Sequence, residues 1–108
     1  MLSDDYIFES RLAENRDEAL DYLCKSLYKN GRIKNISAFK EAVLKRESEM
    51  STELAPGVFV PHAKSPEVLF PSVAYMKTKG GESVYLLASD SDEAHIAALS
   101  RLAKKLLE

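Results

Sequence analysis

The chain has 108 residues, 45% of them hydrophobic and 30% charged, with 15 Lys+Arg against 17 Asp+Glu and a formal net charge of −2. That size and balance fit one globular domain over residues 1–108, able to bury about two-thirds of the surface of its unfolded chain. They give no basic bias toward nucleic acid, and no apolar run of the length a membrane span needs. The acidic start MLSDDYIFES lacks an apolar signal core, and Cys24 has no second cysteine to bridge to. Both features lead us to expect a cytoplasmic, reducing setting.

In chain order, Tyr6–Phe8 reads as a short first strand. Asn15 is a helix cap, with Glu18 placed to reach back to the helix start. The stripe Ala19, Leu20, Leu23, Leu27 has helical spacing and stops at Asn30–Gly31. Cys24 falls within this segment and reads as a small buried hydrophobe. A second helix is expected from Ile36 to Glu47, with Ile36, Phe39, Val43 and Leu44 on its inner face. Residues 48–53 read as a polar loop, with Glu47 and Glu49 solvated.

A strand Val58–Val60 follows, cut short by Pro61, which lacks an N–H. His62 comes next, an imidazole presented at a strand end, and Lys64–Phe70 reads as loop. Two further strands, Ser72–Lys77 and Ser83–Ala88, flank a turn at Lys79–Gly81. The run Val84–Leu87 is apolar enough for burial on both faces, and Tyr75 and Tyr85 read as packing residues. A last helix is expected over residues 92–107, with Ile96, Leu99, Leu102, Ala103 and Leu106 inward and Arg101, Lys104 and Lys105 solvated. The fold class is α/β, a small mixed sheet flanked by helices.

The chain has two histidines, His62 and His95. Each follows an expected strand, so neighbouring strands would bring both to one sheet edge. Otherwise they are unrelated. Three chemistries compete for them. A metal site lacks any HxxxH or CxxC ligand pattern. A hydrolase triad has Ser51 or Ser65 available but no G-x-S-x-G elbow. Covalent catalysis by histidine needs only a neutral imidazole, a partner holding its tautomer, and donors for phosphoryl oxygens. Arg46, closing the second helix, offers a forked guanidinium for those oxygens, and it equally suits the negative end of that helix.

The segment LKRESEMSTELAPGVFVPHAKS resembles the active-site signature of the fructose/mannitol-type enzyme IIA domains of the bacterial phosphoenolpyruvate-dependent sugar phosphotransferase system. Arg46–Glu47, Thr52, Leu54–Ala55, Val58, Val60, Pro61–His62 and Ala63 fill its places in register. VYLLASDSDEAHIAALSRLAKKL is similar to the strand, loop and helix that carry the family's second histidine, here His95. The resemblance covers about residues 7–107. It implies that His62 takes a phosphoryl group from the histidine phosphocarrier protein and passes it to a IIB domain of a sugar permease.

By the same resemblance, Arg46 and His95 steady the phosphoryl group and Thr52 lies in the loop beside it. No cofactor or metal is implied, no nucleic acid, and no membrane contact except through the permease. Phe59 stands where the family has a small residue, and MKTKGGESVYLL is shorter than usual. The chain also stops before the family's further helical unit. A compact variant, a truncated inactive paralogue or a homodimer that completes the core would each accommodate that stop. A regulatory module of the nitrogen-related type is the alternative role.

Overall fold

A computed structural model of the chain describes residues 6–49 and 53–91, together with Ser100 and Lys104. The elements in order are β1 (Tyr6–Ala13), α1 (Arg16–Lys29), α2 (Ile36–Glu49), β2 (Glu53–Ala55), β3 (Val58–Phe59), β4 (His62–Lys64), β5 (Ser72–Thr78) and β6 (Ser83–Ser89). The strands make one mixed sheet in the order β1-β5-β6-β3-β2, with β4 also paired to β6.

Local chemistry sets the helix ends. Asn15 Oδ1 accepts from the Glu18 N–H at 2.9 Å, and the Glu18 carboxylate accepts from the Glu14 N–H at 3.0 Å. At the other end the Asn30 N–H donates to the Ser26 carbonyl, and Gly31 takes φ 72°, a value that favours glycine. The Asn35 side chain caps α2 by accepting from the Ala38 N–H at 2.8 Å. Lys40 donates to Asp21 and ties α2 to α1.

The main core lies between the two helices and one face of the sheet. Leu23, Leu27, Phe39 and Val43 from the helices meet Ala63, Met76, Val84, Leu86 and Ala88 from the strands. Successive strand residues face opposite sides, so Tyr85 and Leu87 gather with Val60 in a second cluster. An aromatic row crosses the sheet through registered residues: Phe8 stacks on Tyr75 at 5.4 Å, and Tyr75 on Tyr85 at 4.4 Å. Val84 to Ser89 are all buried, as the unbroken apolar run of that strand implies.

Several expectations change. β1 runs to Ala13, five residues past Phe8, because parallel pairing with β5 resumes at Leu12 beyond a bulge. α2 continues to Glu49, so Glu49 is helical. Residues 53–55, at and just after the expected polar loop, form β2, which turns back on β3 through Gly57 at φ 75°. Leu44 is 48% exposed, one position off the buried stripe of Phe39 and Val43.

The largest change is at Pro61. β3 does stop before the proline, at Phe59, but a further strand, β4, begins directly after it instead of the expected loop. β3 and β4 pair with β6 in one unbroken register, Val58 to Ser83 and His62 to Leu87. Pro61 withholds a donor, but its carbonyl still accepts from the Leu87 N–H at 3.0 Å, and pairing resumes at His62. The last helix lies outside the described residues except for Ser100 and Lys104, which are helical, with Lys104 exposed.

Candidate functional site

His62 opens β4, and its backbone position is set by sheet pairing rather than by a loop. The ring's Nδ1 lies 2.8 Å from the Val60 carbonyl oxygen. A carbonyl can only accept, so Nδ1 carries the hydrogen, and the lone pair of the neutral ring sits on Nε2. One ring nitrogen is thereby held by the backbone, and the lone pair is left on the other.

The residue is 8% exposed, well below the open presentation expected from a strand end. It nevertheless lines a groove of about 520 Å³ between α2 and β4, shared with Ala42, Lys45, Arg46, Glu49, Ala63 and Lys64. The His62 backbone is paired with β6 at Leu87. Arg46 and His62 are therefore brought together across 16 positions of sequence. The wall of the groove holds three cationic side chains against one carboxylate, Glu49. Such a surface draws anions and suits the oxygens of a phosphoryl group.

Thr52 and His95 lie outside the described residues, as does Ser51. Ser65 is buried in a turn. Its Oγ accepts from the Glu67 N–H at 3.1 Å and its own N–H donates to the Ser89 carbonyl at 3.0 Å. Those bonds account for it as a loop-shaping residue rather than a nucleophile. The Cys24 thiol is pushed up to about 12, chiefly by burial, with Lys40 lowering and Asp21 raising it. A thiol held protonated this way is a poor nucleophile. Among the described residues, no three His, Cys, Asp or Glu side chains gather as a metal site would require.

Phe59, the bulky residue in the signature, is 9% exposed and sits beneath the Arg16 guanidinium, 4.0 Å from the ring centroid. Arg16 in turn approaches Glu82 at 3.7 Å. The ring has found room in a cation–π pocket. With Val60 also buried, these two residues add little to any exposed docking surface around the histidine. Lys45, Glu49 and Lys64 were not legible as site residues. Lys64 needed β4 to be recognised as a strand, and Glu49 needed the extra half-turn of α2.

The arrangement is an α/β domain with a tautomer-fixed histidine in a cationic groove, and comparison with known proteins defines its class. Residues 1–108 match the family model described as phosphoenolpyruvate-dependent sugar phosphotransferase system, EIIA 2. The chain belongs to that family. It is 32% identical over 108 aligned positions to the fructose-specific EIIABC component of the system in Bacillus subtilis (strain 168). That match takes in 88% of this chain and 17% of the relative, so the chain corresponds to a small part of the longer protein.

The fold is that of the mannitol IIA protein of Escherichia coli, with a TM-score of 0.80 and 24% identity over 100% of this chain and 84% of that one. It is also similar to mannitol IIA from the same organism in its complex with phosphorylated mannitol IIB, with a TM-score of 0.78 and 22% identity. That match covers 100% of this chain and 83% of the other. Among the described residues, no helix is long and apolar enough to cross a membrane.

Proposed function

We propose that this chain acts as one phosphoryl-carrier domain, with His62 taking the group from a histidine phosphocarrier protein and handing it to a IIB component during sugar uptake. The observation that carries this reading is the 2.8 Å contact from Nδ1 to the Val60 carbonyl in a residue lining the cationic groove. The family carries phosphate to IIB, and a structural neighbour of this chain was solved bound to phosphorylated mannitol IIB.

In the transfer, the Nε2 lone pair of His62 attacks phosphorus as the donor's N–P bond breaks. The electron pair of that bond returns to the donor imidazole, and the proton stays on Nδ1, which donates to the Val60 carbonyl throughout. Onward transfer runs the same exchange in reverse toward the IIB nucleophile. Little covalent work is left to the protein, and rate comes from positioning and charge. We assign Arg46 to the phosphoryl oxygens, His95 as the second imidazole beside them, and Thr52 to the adjoining loop. The role is cytoplasmic, meeting the membrane only through the permease.

The test is incubation with phosphoenolpyruvate, enzyme I and the phosphocarrier, followed by chase with a IIB domain. The wild type acquires an acid-labile, base-stable label and gives it up to IIB. A label that persists in His62→Ala overturns the assignment. A label that reaches no IIB domain points to a regulatory module instead.

A further inference from the structure

The groove has two walls of different origin. α2 supplies Lys45, Arg46 and Glu49, and β4 supplies His62 and Lys64. Alternation along a strand sends residues i and i+2 to the same side, about 7 Å apart. His62, Ala63 and Lys64 all line the groove, and Ala63 also joins the main core. Lys64 is therefore carried by the same paired backbone that fixes the nucleophile, in register with Ser89 as His62 is with Leu87. Lys45 is placed differently. It stands on the helix wall one turn before Glu49, a carboxylate of opposite charge at the spacing where helix side chains are neighbours.

Resting on the carrier reading, we propose that Lys64 is a further catalytic residue, whose ammonium contacts the phosphoryl oxygens from the strand wall while Arg46 contacts them from the helix wall. A dianionic phosphoryl group on Nε2 would then be held between a forked guanidinium and a point charge on opposite sides. The lysine stem gives the reach and the strand gives the aim. Lys64 is a specific partner of the reacting group and more than one part of a diffuse positive surface.

The experiment uses phosphoramidate, a small phosphoryl donor that needs no partner protein. The readouts are the rate of label acquisition and the ³¹P signal of the labelled chain followed against pH. Lys64→Gln is expected to slow labelling about tenfold, less than the loss typical of an enclosed oxyanion donor because the side chain is exposed. It should also raise the second ionisation of the phosphoryl group. Lys64→Arg restores most of both, and Lys45→Gln changes both much less.

Wild-type rate and titration in Lys64→Gln overturn the proposal, and so does an equal effect from Lys45→Gln, which would mean general groove charge. Failure of the wild type to label at all takes down the carrier reading itself, an outcome distinct from either. Because Lys64 is exposed, an unchanged urea midpoint separates its role from folding.

Discussion

The two halves of α2 do different work. Its part up to Val43 places Phe39 and Val43 against α1 and the sheet, fully withdrawn from water. Its last turns place Lys45, Arg46 and Glu49 along the groove with His62. One rigid helix therefore couples the packed core to the reactive seam, and the apolar half sets where the charged half sits. Arg46 is thereby positioned by buried residues up to two turns away that do not line the groove. Damage to the core should blunt the chemistry, whereas damage to the groove should leave the core intact.

The comparison breaks most sharply at His62. His62→Ala should abolish labelling outright while costing only about 1 kcal/mol of stability, the scale of one lost hydrogen bond. A urea melt beside the phosphorylation assay reads both. A large stability loss would show that the ring belongs to the core after all.

Phe39→Ala strikes the other half. Removing a fully buried ring should cost about 4 kcal/mol, read as a fall in urea midpoint at unchanged slope. Arg46→Gln comes next, with labelling slowed about a hundredfold and the melt nearly unchanged. A reversed pattern, with stability lost and rate kept, would make Arg46 a helix-end residue only.

Smaller effects sharpen the picture of the packed half. Asn15→Ala removes the side-chain acceptor for the Glu18 N–H and should cost about 1 kcal/mol, again with labelling intact. Cys24 gives a pH test. Its folded thiol is raised from 9.0 to about 12, so the folded state holds its proton where the unfolded chain has lost it. That contribution is complete below about pH 9 and is lost as pH rises toward 12. Cys24→Ala should therefore show a shallower loss of stability over that interval than the wild type. The native thiol should also resist alkylation at pH 8, and rapid modification there would contradict its burial.

Much of this was legible in one dimension. The Asn15 cap, the Asn30–Gly31 stop and the stripes of α1 and α2 are local signals, each set by residues within a few positions of one another. The family resemblance rests on the same kind of information, a spaced run of residue types around Pro61–His62. The apolar run Val84–Leu87 announced a strand buried on both faces, because no polar residue interrupts it.

What the sequence could not decide were the features that depend on a partner strand. Pro61 looks like a terminator when only its missing N–H is considered. β6 supplies a donor to its carbonyl and carries the register through to Lys64. The resumed pairing at β4 places His62 against β6, where it is largely covered, and sets Lys64 along the groove. Caps and stripes are encoded by neighbours in the chain, whereas sheet register is set by atoms that only folding brings within hydrogen-bonding distance.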